Sequence, residues 1–179
     1  MKNYIYLLLF IPSFFCFAQE PPAIFKLKYS LLETDSINVS NQYKIHSPSL
    51  KYYKNSKNTY LTDEYWNNYK NYMRTDEEFI YVFMGNPYPR KNDIIILNIF
   101  KAEQSMTLFF KIDFDLDYGE KLYLKELKFV DGYYFIDLTD LKTKDHIYSD
   151  TFRKKEVDLS NIKMHKISSK KLNQKIQFL

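Results

Sequence analysis

The chain has 179 residues, 45% of them apolar and 27% charged, with a net charge of +4. That is the size and composition of a single globular domain, and it excludes disorder of the whole chain. One cysteine excludes a disulfide scaffold and multi-cysteine zinc sites, and three well-separated glycines (Gly85, Gly119, Gly132) exclude glycine loops that cradle phosphates.

Lys2 followed by the apolar run Tyr4 to Phe15 and the small-x-small triplet Cys16-Phe17-Ala18 reads as a secretory signal peptide, residues 1–18, cut after Ala18. Lipidation of Cys16 is the weaker rival, because bulky Phe14 and Phe15 precede it. The expected address is secreted or periplasmic, and residues 19–179 are expected to form one β-rich domain. No later apolar run approaches the ~20 residues of a membrane-spanning helix, so no transmembrane segment is expected. After Ala18 no cysteine remains, so stability must come from burial, for which 17 Tyr and 15 Phe are suited.

From Ile24 to Leu32 apolar and polar residues alternate, with Phe25, Leu27, Tyr29 and Leu31 on one face; this predicts a half-buried strand. Residues 33–58 are poorer in pattern, with short strands expected near 37–39 and 43–45. Tyr65, Trp66, Tyr69, Tyr72 and Met73 recur at helical spacing after the cap candidate Thr62, predicting a helix over Asp63 to Arg74. That aromatic stripe is expected to cover a sheet rather than to stack a ligand.

Two runs, Phe79 to Met84 and Ile94 to Phe100, are apolar almost throughout, as in strands covered on both faces. Between them Gly85-Asn86-Pro87-Tyr88-Pro89-Arg90-Lys91-Asn92 is stiffened by two prolines and carries Tyr88, Arg90 and Lys91. Loops on a rigid β scaffold commonly hold binding residues, so these three are the candidate binding site; the bland alternative is a proline-braced hairpin loop. Met106 to Phe114 alternates, with Met106, Leu108, Phe110, Ile112 and Phe114 inward and Thr107, Lys111 and Asp113 outward. Asp113, Asp115 and Asp117 then invite a calcium reading, but the sixth and twelfth positions of an EF-hand loop would be Tyr118 and Leu124, so that motif fails. A solvated strand end is the expectation.

Leu122 to Phe129 predicts a strand with a bulge, and Asp131-Gly132 before Tyr133 to Leu138 predicts a type I′ hairpin turn. The segment Phe129 to Tyr133 loosely resembles hairpins of immunoglobulin-like and transthyretin-like sandwiches, a fold-level likeness only. Weaker strands are expected near 146–152 and 162–167. His46, His146 and His165 share no local face, and no Gly-x-Ser-x-Gly elbow occurs. No catalytic residue, metal ligand or cofactor is therefore nominated. Residues 151–179 carry a net charge of +6, which favours weak association with anionic surfaces. Residues 168–179 are expected to fray, with Leu172, Ile176 and Leu179 offering an amphipathic helix as the alternative.

These readings predict a mainly β protein, an antiparallel β-sandwich or open barrel of about seven strands with one helix packed on it. The function expected is a non-catalytic exported module that binds a protein or glycan partner, with no role for nucleic acid. A secreted hydrolase with a dispersed carboxylate site, and a small periplasmic inhibitor or immunity-type protein, are the alternatives.

Overall fold

The computed structural model describes residues 22–28, 42–55, 73–76, 78–125, 128–139, 147–149, 155–159, 162 and 164–177. In chain order they form β1 (Ile24–Lys28), β2 (Lys44–His46), α1 (Leu50–Asn55), β3 (Met73–Thr75), β4 (Phe79–Phe83) and β5 (Ile94–Lys101). There follow β6 (Gln104–Lys111), β7 (Lys121–Leu124), β8 (Gly132–Asp137), β9 (Ile147–Ser149), β10 (Lys155–Asp158), β11 (His165–Ile167) and α2 (Ser169–Gln177). No helix among the described residues is long and apolar enough to cross a membrane.

The strands make two sheets, ordered β3-β4-β1-β7-β10-β9 and β11-β8-β6-β5-β2. Both are mixed: β7 runs parallel to β1 and to β10, and β8 runs parallel to β6. The wholly antiparallel arrangement expected from the sequence is thus corrected, and neither sheet closes on itself. The cause is how the chain travels. It leaves β4 in one sheet for β5 in the other, returns for β7, and crosses again for β8. A strand reached by crossing over can pair in parallel, which a short hairpin does not permit.

Period-two alternation places Phe25 and Leu27 of β1, Ile80 and Val82 of β4, Leu122 of β7 and Val157 of β10 on one inner face. They meet Ile95, Leu97 and Ile99 of β5, Met106, Leu108 and Phe110 of β6, and Ile136 of β8 in a single buried cluster. The Phe25 and Phe110 rings touch across it, centroids 5.4 Å apart. The other face of the five-stranded sheet is also dry. Ile94 and Ile96, Phe109 and Phe135 are covered there by Leu172 and Ile176 of α2, with Leu50 and Tyr53 of α1 packed alongside. This explains why the run of β5 is apolar except for Asn98 before its closing lysine. It also corrects the solvent-facing assignment of Thr107, which is only 4% exposed.

The cover therefore includes one helix, α1, that the sequence pattern did not single out. Of the predicted helix Asp63 to Arg74, residues 63–72 lie outside the described residues. Met73 and Arg74 belong instead to β3, paired with Val82 and Tyr81 of β4. Over 169–177 the end expected to fray is a helix with Leu172 and Ile176 buried, as the amphipathic alternative has it. The predicted hairpin at Asp131-Gly132 is absent, since β7 and β8 lie in different sheets. Gly132 does adopt φ 131°, but Asp131 Oδ1 accepts the Ser105 amide at 2.8 Å, tying this turn to the start of β6. The tight hairpin is β5–β6, closed by Ala102 and Glu103 with Ala102 at φ 49°. Strand pieces predicted at 29–32 and 37–39, the bulge near Leu127, and the signal peptide fall outside the described residues.

Candidate functional site

The segment that carries Tyr88, Arg90 and Lys91 joins β4 to β5, so it passes from one sheet to the other and is not a hairpin loop. Its start is anchored in backbone. The Met84 amide donates to Ala23 O at 2.9 Å, and the Gly85 amide to Ser47 O at 2.7 Å. Gly85 lies so close to residues 47–49 that a Cβ would sit 2.5 Å from the Ser49 nitrogen, which no other residue could tolerate unchanged.

Asp93 organises the centre. Its Oδ2 accepts the Arg90 amide at 2.8 Å and the Asn86 amide group at 3.0 Å, while its own backbone N–H donates to Arg90 O at 2.8 Å. This is a tight turn with Lys91 and Asn92 in the middle, and Asn92 takes the positive φ of 74° that asparagine tolerates better than most residues. Asn86 Oδ1 accepts the Tyr88 amide at 3.2 Å. Buried Pro89 presents its carbonyl to the Leu116 amide at 2.8 Å.

The same geometry brings the Asp113–Asp117 run against the loop. Arg90 Nη1 donates to Asp117 Oδ1 at 3.0 Å and lies 3.8 Å from Asp115 Oδ2. Lys91 Nζ lies 2.6 Å from Asp113 Oδ1, and the Lys91 amide donates to Asp115 Oδ1 at 2.8 Å. Glu120 Oε2 accepts the Asp117 amide and pairs with Lys155 at 3.3 Å. The carboxylates read as a solvent-facing strand end are engaged by the loop's own cations. Among the described residues no group of three or more His, Cys, Asp or Glu could hold a metal ion.

Exposed ion pairs of this kind contribute only about 0–1 kcal/mol each. Their effect is conformational, because they hold one loop geometry out of many. At the tip, Tyr88 stands 38% exposed. Its ring packs on Tyr118 with centroids 4.1 Å apart and planes tilted by 57°, and the Arg90 guanidinium lies 5.7 Å from its centroid. A hydrogen bond with Tyr118 pushes the Tyr88 phenol up to about 12, so Tyr88 presents a neutral hydroxyl at neutral pH. Tyr118 and Asp93 were not singled out from sequence. Tyr118 could have been found only by knowing that residues 113–120 fold beside 85–93.

Two further clusters lie elsewhere. On the outer face of the six-stranded sheet, the Lys26 ammonium sits 4.4 Å from the Phe79 ring centroid and 4.6 Å from that of Tyr123, and 3.2 Å from Glu156. Burial pushes the Tyr123 phenol upward, and burial together with a 2.8 Å hydrogen bond to Asp76 does the same to Tyr81. Phenols held protonated in this way are poor general bases. On the opposite side of the molecule, His46 is 1% exposed beside Asn98, whose Nδ2 lies 3.2 Å from Nε2, and stacks on Phe100. Burial alone lowers its pKa to about 3. It is a neutral core histidine.

No protein-family model, no curated protein and no solved structure matches the chain. The functional reading therefore rests on this geometry.

Proposed function

We propose that the protein is an exported, non-catalytic β-sandwich module that binds a protein or glycan partner through the tip formed by residues 85–93 and 113–120. The observation that carries this reading is the pre-set Tyr88–Tyr118 pair on a loop whose amides at Tyr88, Arg90 and Lys91 are each held by a side-chain oxygen. A loop already in its bound shape avoids much of the ordering cost of association. Tyr is a favoured anchor because it offers a large apolar face and a polar end at few rotatable bonds. Two sheets sharing one core across the Phe25–Phe110 contact support the sandwich description. The signal-like residues 1–18 support export, to the periplasm or beyond.

The arrangement favours binding over hydrolysis. Glycosidase chemistry needs two carboxyl groups facing each other across a cleft, one of them protonated. Here Asp113, Asp117, Glu120 and Glu156 each face a lysine or arginine within 3.3 Å. An inhibitor or immunity-type role uses the same tip and would appear as an enzyme among the captured partners.

The test is capture from envelope extract and on a glycan array, comparing the exported chain with Tyr88→Ala and with Tyr88→Ala/Arg90→Ala. Loss of an aromatic anchor typically costs ~2 kcal/mol or more, so roughly thirtyfold weaker binding is expected with little change in melting temperature. A partner retained equally by all three proteins would place the binding surface elsewhere.

A further inference from the structure

The two helices lie on the same outer face of the five-stranded sheet, α1 over β5 and α2 over β8, and share one apolar cluster. In the sheet order only β6 separates those strands, so at ~4.8 Å per strand the helices are neighbours about 10 Å apart. Each turns its apolar residues down: Leu50 and Tyr53 from α1, Leu172 and Ile176 from α2. What remains outward is basic. Lys51 and Lys54 of α1 and Lys170, Lys171 and Lys175 of α2 are all exposed, and neither helix contains an acidic residue.

These lysines are not consumed by structure. Among the described residues, Lys51, Lys54, Lys170 and Lys171 form no ion pair, in contrast to Lys26, Lys91 and Lys155. Lys175 rests 4.2 Å from the centroid of the Phe135 ring, its charge still at the surface. Among the described residues, Asp137 lies near one end of the face, within the field of Lys175. Burial opposes its ionisation, but hydrogen bonds from Thr139 and the fields of Lys111 and Lys175 hold its pKa below the ordinary carboxylate value. Tyr52 stands 38% exposed between Lys51 and Lys54.

We propose that this paired-helix face docks on an anionic lipid bilayer, with Lys51, Lys54, Lys170 and Lys171 against the headgroup phosphates and Tyr52 at headgroup depth. Four to eight lysines on adjacent amphipathic helices are the pattern that anionic headgroups attract, each worth about 1 kcal/mol near the surface. An exposed tyrosine among them suits the membrane–water interface, where its ring and hydroxyl are both accommodated. Lysine as a point charge suits a mobile layer of phosphates, whereas reading one phosphate in a fixed geometry would call for arginine forks. The contact is electrostatic and reversible, since the apolar sides of both helices are spent on the sheet. It orients the module without inserting it.

The test is vesicle flotation of the exported chain with phosphatidylcholine vesicles, with and without roughly one-third phosphatidylglycerol. Flotation with the anionic vesicles alone, weakening as salt is raised, is the expected result. Lys51→Gln/Lys54→Gln/Lys170→Gln/Lys171→Gln should lower affinity by ~100-fold or more, and each helix's pair by ~10-fold or more, with unchanged melting temperatures because all four side chains are exposed. Tyr88→Ala at the tip should float as the wild type does. The proposal is overturned by equal binding to neutral vesicles, by no binding to anionic ones at low salt, or by a folded fourfold variant that still floats. It is equally overturned if only the α2 pair matters, or if dextran sulfate or duplex DNA is bound more tightly than the vesicles.

Discussion

Ala102 and Gly85 show at single positions how backbone, rather than side-chain contact, limits this fold. Ala102 occupies positive φ at the first residue of the two-residue β5–β6 turn, where glycine would carry no penalty. Ala102→Gly should therefore raise stability by about 0.5–1 kcal/mol in a urea titration. Gly85→Ala should do the reverse, costing ~1–3 kcal/mol, because its Cβ would meet the backbone of residues 47–49. A third residue sets the response to acid. His46 has a folded-state pKa near 3, below the ~6.5 of the unfolded chain, so between these values only the unfolded state takes up the proton. Its contribution is complete above about pH 6.5 and declines as pH falls towards 3, with a slope of at most ~1.4 kcal/mol per pH unit. Between pH 7 and pH 4.5 the wild type should lose up to ~3 kcal/mol more than His46→Gln, both measured by denaturant titration. Parallel pH profiles would show that His46 is solvated in the folded protein.

At the scale of elements, β6 is a strand with two buried faces. Phe110 points into the core shared by both sheets, and Phe109 points under the helices, where the Tyr53 ring meets it edge-on at 5.3 Å. Both are 0% exposed. Phe109→Ala and Phe110→Ala should each cost ~3–5 kcal/mol, although neighbours on a half-solvated strand would differ sharply. Lys111→Ala, at the end of the same strand, should stay within about 0.5 kcal/mol. The helix α2 is held the same way, through Leu172 and Ile176, so Leu172→Ala should cost ~2–5 kcal/mol. A smaller loss at Phe109 than at Phe110, as reported by chemical denaturation, would mean that the helical layer contributes little.

The whole molecule is assembled from distant parts of the chain. β1 pairs with β7, Ile24 opposite Lys121, and β10 pairs on the far side of β7. Such pairings must close long loops before they return any stabilisation, so refolding is expected on the millisecond-to-second scale in stopped-flow measurements. A chain ending at residue 149 loses β10, β11 and α2 together, and with them Val157, Leu172 and Ile176 from the two cores. It should show no cooperative unfolding transition, whereas a two-state melt would show that those elements only decorate a self-sufficient core.

The sequence by itself determined the class of structure and much of the strand phase. Alternation marked Phe25, Leu27, Met106, Leu108 and Phe110 as core, and an apolar run interrupted only by Asn98 marked β5 as covered on both sides, because burial on a pleated strand repeats every two residues. It also marked Tyr88, Arg90 and Lys91 as a stiff projecting segment. Local pattern carries no record of which strand lies beside which. Tertiary structure decided that the β4–β5 connection would change sheets, that Asp131-Gly132 would not close a hairpin, that β7 would run parallel to β1 and β10, and that β8 would run parallel to β6. It decided that polar β10, with Val157 as its one buried residue, would lie between β7 and β9 inside a sheet. It also decided that the acidic run 113–117 would neutralise the loop's own cations and set Tyr118 against Tyr88. Charge and aromatic partners 20 or more residues apart meet only when the chain has folded, so the candidate site became legible in space and not along the sequence.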